Sequence, residues 1–246
     1  LRWLARHQEA DGHWDTRKLE ASQRYDVGVS GLATLAFLGA GHTEKSGKYR
    51  DNVRRAVAWL ITQQNDEGAV SSPGGHKFGY EHAIAGLALA EAYGMAQNPV
   101  TREAAQKAIN WTVDKHQVPY GGWRYKAREP ADTSVTGWFI MQLKSAKVAG
   151  LKVDHSAFQG ATKFLDEITD ARSRSSYMKG RGPTHIMTGV AVVGRQFMGV
   201  RNDSPLLKNA TDYMLKTRLP VWQSSGYGTF YYWYYGTLAM FQMGGK

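Results

Sequence analysis

With no cysteine among its 246 residues, this chain can do chemistry only through carboxylates, imidazoles, hydroxyls, amines and aromatic rings. The stretch Arg128-Glu129-Pro130-Ala131-Asp132-Thr133-Ser134-Val135-Thr136-Gly137-Trp138 carries two acids, Glu129 and Asp132, into a helix-like run. A carboxyl there can deliver a proton into a cavity. It can equally cap the helix by accepting its first free N–H groups, which is worth roughly 1 kcal/mol. Asp26 and Glu81 stand at the same offset as Asp132, five residues before a glycine, in two other stretches. An acid that recurs in this way fits a shared structural role better than a unique proton donor. Capping is therefore the expectation, with Asp132 and Glu129 as the catalytic alternatives.

His82 and His185 each stand four residues before such a glycine, which places both at one rim. Two glycine intervals separate them, neighbouring helix axes pack about 10 Å apart, and no His-x-x-x-His spacing exists. No metal site is expected from them, nor any cofactor, and hydrogen-bonded rim histidines are the reading. The absence of cysteine removes thiolate nucleophiles, disulfides and Cys-ligated zinc as well. In the run from Tyr227 to Gly236, a helix puts Tyr227, Tyr231, Tyr234 and Tyr235 on one side and Phe230 and Trp233 on another. Such a wall can stabilise a carbocation, stack on a sugar, or simply pack between helices. The loop residues Trp123, Arg124 and Tyr125 lie close in sequence to Asp132 and are candidates for a cavity mouth.

These residues are positioned by a recurring pair of elements. Apolar segments centred on Gly31, Gly86, Gly137, Gly189 and Gly236 follow one another at intervals of 47 to 55 residues. Before each comes an amphipathic segment marked by Trp3, Trp59, Trp111, Phe164 or Tyr213. Apolar residues at spacings of three and four predict one wet face for the second kind, and burial on nearly all sides for the first. An all-α fold follows, as five stacked helix pairs over about 1–43, 50–97, 101–150, 154–200 and 204–246, in a single domain of 1–246.

The formal charge of +10 favours anionic partners. Its densest segment, Ala171 to Gly182, has no accompanying nucleic-acid motif and reads as a solvated loop. No apolar run reaches the eighteen or so residues of a membrane span.

Three of the amphipathic segments end alike: Trp3-Leu4, Gln8, Gly12-His13-Trp14; then Trp59-Leu60, Gln64, Gly68; then Trp111, Gln117, Gly121-Gly122-Trp123. This resembles the Gln-Trp repeat of the squalene cyclase and protein prenyltransferase superfamily, along essentially the whole chain. More narrowly, the stretches at 26–41, 121–125, 132–138 and 231–245 look like bacterial prenyltransferase and squalene oxidase repeat proteins, for which the resemblance implies a fold but no reaction. The implied fold is an α/α toroid, with the apolar helices as an inner ring. Full toroids of the superfamily have about six pairs. The five here therefore imply part of a longer chain, continuing after Lys246, and an exposed apolar flank.

The resemblance also sets the catalytic expectations. Class II terpene cyclases carry Asp-x-Asp-Asp-Thr-Ala, whose middle acid gives the initiating proton; laid on this chain, that position is Ala131. The zinc site of prenyltransferases and the thioester of complement-type domains both need a cysteine. The reading is thus a non-catalytic domain that binds a ligand, peptide or polymer in or at the rim of its cavity, through residues drawn from Asp26, Glu81, His82, Trp123, Arg124, Tyr125, Asp132, His185, Tyr231, Tyr234 and Tyr235. The alternatives are a cyclase-like enzyme acting on an isoprenoid, and a toroid that cleaves or binds an acidic polysaccharide.

Overall fold

A computed structural model describes residues 1–19, 21, 23–217 and 229–244. Among these the chain is all-α. Ten α-helices run in the order α1 (Arg2–Arg6), α2 (Asp26–Gly39), α3 (Arg50–Thr62), α4 (Phe78–Ala96), α5 (Pro99–Trp111), α6 (Thr133–Val148), α7 (His155–Glu167), α8 (His185–Phe197), α9 (Pro205–Thr217) and α10 (Thr229–Met243). A π-helical turn, Thr112–His116, extends α5. Extended pairing among the described residues is limited to isolated bridges. No described helix is long and apolar enough to cross a membrane.

Local signals account for several boundaries. Gln97 ends α4 in the left-handed conformation (φ 52°), Asn98 accepts the Val100 N–H, and Pro99 opens α5 where its missing N–H costs nothing. Thr184 caps α8 by accepting the Met187 N–H.

Burial alternates along the chain as the periodicity predicts. In α3 the buried residues are Val53, Ala56, Val57 and Leu60, and in α7 they are Ala157, Gly160, Ala161, Phe164 and Leu165, a single stripe in each case. By contrast α4 is buried without a break from Glu81 to Ala90, and Asp132 and the first eleven residues of α6 are buried too. The fifth apolar helix departs from this. α10 buries Tyr232, Tyr235, Gly236 and Ala239, while Phe230 and Phe241 are 79% and 80% exposed. Its apolar character is not matched by cover on its outward side.

The chain divides into two compact units. The first comprises Leu1–Gln117, Arg124–Glu129 and Met141–Asp154. In it α2 packs on α4, α4 on α5, and α2 on α3. The second comprises Val118–Trp123, Pro130–Ile140 and His155–Lys246, with α8 packed on α9 and α10. Helix α6 contributes its first half to the second unit and its last half to the first. Within the units the apolar helices come close at glycines: a Cβ on Gly31 would stand 2.9 Å from Ile84 Cγ2, and one on Gly137 would stand 2.3 Å from Val190 Cγ1.

Candidate functional site

Turns with the same hydrogen bonding lead into four of the apolar helices. The N–H groups of Glu9, Asn65, Val118 and Asp170 donate to the carbonyls of His13, Ala69, Gly122 and Arg174 at 2.8 to 3.0 Å. The following residue then reaches the apolar helix. In three cases its N–H, from Trp14, Trp123 or Ser175, donates to the hydroxyl of Ser30, Thr136 or Thr188 at 2.9 to 3.0 Å. In the fourth case the matching helix residue is Ala85, which has no hydroxyl. There the Val70 N–H donates instead to Nδ1 of His82, one helical turn earlier, at 3.0 Å.

That bond fixes the histidine's state. An Nδ1 that accepts leaves the proton on Nε2, which donates to Thr112 Oγ1 at 2.9 Å; the Thr112 hydroxyl then donates to Gln142 Oε1 at 2.9 Å. Burial, and then the charge of His116, push the His82 pKa down to about 3. His116 is also fully buried, contacts the Arg124 carbonyl through Nε2 at 2.8 Å, and is pushed down to about 4, mainly by burial. Both imidazoles stack on Phe78, at 5.5 Å.

The acids at the shared offset bond in three different ways, because the helices start at different distances from their glycines. Asp132 precedes α6 and caps it: its Oδ1 accepts the Val135 N–H at 2.9 Å and the Ser134 hydroxyl at 2.7 Å. Asp26 is the first residue of α2 and accepts the N–H and the hydroxyl of Thr16, at 2.9 and 2.6 Å. Glu81 lies inside α4, beyond reach of the helix's first N–H groups, and accepts the Ser71 hydroxyl at 2.5 Å. Glu129 is 3.9 Å from Arg124. Asp132→Ala is expected to cost about 1–2 kcal/mol, and Asp132→Asn, whose Oδ1 still accepts the Val135 N–H, less than half of that. Urea melts of the two variants check this; equal losses would mean that the charge and not the cap holds Asp132 in place.

Around Glu81 the first unit contains a cavity of about 370 Å³ between α2 and α4. Val29, Leu32 and Ile84 give it an apolar wall, Tyr25 and Tyr80 an aromatic one, and His76, Lys77 and Glu81 a polar end. Glu81 is only 3% exposed. Burial, the largest influence, raises its pKa; Asp26 also raises it, while Ser71 and Lys77 act in the opposite direction. The Lys77 ammonium donates to the Arg24 carbonyl, stands 3.8 Å from Glu81 and lies 5.9 Å from the Tyr25 ring centroid. Tyr125, with Arg124 over its ring, packs against Tyr80 and His76 at 5.7 and 6.0 Å.

The structure thus gathers Glu81, Asp26, Arg124 and Tyr125 at or just behind this cavity, with His82 on the far side of the same helix start. It does not gather the others there. Trp123 is fully buried in the second unit, stacked on Phe139 at 5.3 Å. His185 meets Tyr232 edge-on at 4.7 Å. Tyr231 donates to the Ser134 carbonyl at 2.9 Å, Tyr234 stacks on Trp138 at 5.2 Å, and Tyr235 is fully buried beside them. These tyrosines cement α10 to α6 in the second unit; Tyr227 lies outside the described residues. No group of three or more possible metal ligands occurs among the described residues.

Nothing in the sequence singles out Lys77, His76, Tyr25 or Tyr80, which line the cavity through the way α2 and α4 meet. Thr16 and Ser71, each ten residues before the acid they bind, point to Asp26 and Glu81 but not to these four. Compared with known proteins, the chain matches no family model and no curated protein.

Proposed function

We propose that this is a repeat domain of the squalene cyclase and protein prenyltransferase type, its helix pairs set in an α/α toroid, that binds a small ligand without transforming it. The observation that supports the reading is the engagement of its acids. A general acid must present its proton to the substrate, and Asp132 instead serves the first turn of α6 while Asp26 serves Thr16. The cavity at Glu81 falls in the size range of small-molecule sites. Its apolar wall and its lysine suit an amphipathic ligand with an anionic head, and the charge of +10 favours the approach of such a molecule.

Titration with geranyl phosphate and with geraniol tests this. The phosphate should bind more tightly and be recovered unchanged. Lys77→Ala should weaken its binding roughly tenfold, about 1.4 kcal/mol, and leave geraniol unaffected. Binding of neither probe would end the proposal. Cyclised product would favour a second reading, in which Glu81, protonated more readily because it is buried and facing Tyr25 and Tyr80, acts as a cyclase-type acid. Glu81→Gln would then abolish that product.

A further inference from the structure

We propose that acid unlocks the joint at His82: protonation of its Nδ1 frees Val70 and Ser71, and Ser71 then lets go of Glu81 at the cavity wall. The inference rests on the cavity being a binding site and adds its regulation. A neutral imidazole can accept the Val70 N–H, whereas an imidazolium has only donors, so Nδ1–H and Val70 N–H would point at each other. The residue after Val70 is Ser71, whose hydroxyl is held by Glu81. Ser71 is in the left-handed region at φ 78°, a conformation that a side-chain-bearing residue leaves readily once its bonds weaken.

The other three joints cannot respond in this way. Their acceptors are the hydroxyls of Ser30, Thr136 and Thr188, which do not titrate. Complete burial keeps His82 neutral in the closed joint. The incoming turn presents its backbone N–H, α5 and its extension present the Ala108 backbone, Trp111 and Thr112, and α6 presents the neutral Gln142. Its own helix adds Phe78, while Glu81 next to it is turned to Ser71. The Ala108 and Val70 backbones favour a proton on His82, but burial, the largest influence, and then His116 outweigh them. A freed His82 regains its ordinary pKa of 6.5, so each pH unit below that multiplies the open fraction about tenfold.

Amide hydrogen exchange read by NMR on the ligand-free chain, between pH 7.5 and 4.5 and corrected for intrinsic rates, tests the joint. Protection of Val70 and Ser71 should fall about tenfold per pH unit below 6.5, while Trp14, Trp123 and Ser175 keep theirs. Val70 behaving like those three would overturn the inference. His82→Val/Ala85→Ser copies the Val27 and Ser30 pair of the first joint and should flatten the response; should it fail to fold, the comparison of joints within the native protein still decides. Geraniol, which has no charge of its own, reads the gate: its affinity should fall in acid for the native protein and not for the double variant. If geraniol binds equally at every pH, the gate is refuted and the binding site stands. If Val70 responds but neither geraniol nor geranyl phosphate binds at pH 7.5, the site is refuted and only an acid-sensitive joint is left.

Discussion

Gly68→Ala is expected to destabilise the fold by about 4 kcal/mol, and Gly74→Ala by only about 1 kcal/mol. The two glycines share nearly the same φ, +104° and +105°, a value that side-chain-bearing residues rarely adopt, so both substitutions carry that strain. They differ in what the new Cβ meets. At Gly74 nothing lies within 4 Å, whereas at Gly68 the Lys107 carbonyl oxygen would be 2.4 Å away and its carbon 2.8 Å away. That carbonyl belongs to α5 and cannot swing aside as a side chain could. The turn cannot retreat either without breaking the Gln64 amide's bonds to the Gly68 and Ala104 carbonyls, at 3.0 and 2.9 Å. Gly12 stands in the same relation to Arg55, and Gln8 in the same relation to Gly12 and Asn52. Urea melts of the two alanine variants are the check; equal losses would show that the turn and α5 are not held at this separation.

The Gln8 and Gln64 bonds show what was legible beforehand. Gln, Gly and an aromatic at fixed spacing pointed to a helix-to-helix junction, and Gln64 does tie its own turn to the next amphipathic helix. Alternating amphipathic and apolar segments likewise pointed to all-α structure with alternating burial, because periodicity reports directly which faces avoid water. The partners of the acids were less legible. Spacing from the glycine places Asp26, Glu81 and Asp132 near a helix start, but whether each precedes the helix or lies inside it depends on where the helix begins, and α4 begins early. The cavity was not legible, since Lys77 and Tyr80 line it only through the way α2 and α4 meet. Spacing places His82 near a helix start, but its role as acceptor of the Val70 N–H depends on the missing hydroxyl at Ala85 and on where that N–H points.

His82 and His116 together are expected to remove about 4 kcal/mol of stability between pH 7.5 and pH 5. Both pKa values are lowered in the folded protein, to about 3 and about 4, from an ordinary 6.5. The unfolded chain therefore takes up two protons as the pH drops through 6.5, and the folded chain takes up neither until much lower. Stability is complete above 6.5, declines below it, and stops declining once the folded values are reached. At pH 5 each histidine contributes about 1.5 units at 1.36 kcal/mol per unit, or about 2 kcal/mol. That figure does not depend on how far below 5 the folded values lie. Glu81 works the other way: its raised pKa favours the fold at low pH and is a disadvantage as pH rises, so it blunts the decline. Urea midpoints at the two pH values read the net effect, and His82→Val/Ala85→Ser should remove about half of the histidine contribution. A midpoint that holds steady down to pH 5 would mean that the two imidazoles are reached by water in the folded chain, and with that the closed joint on which the acid response depends would fail too.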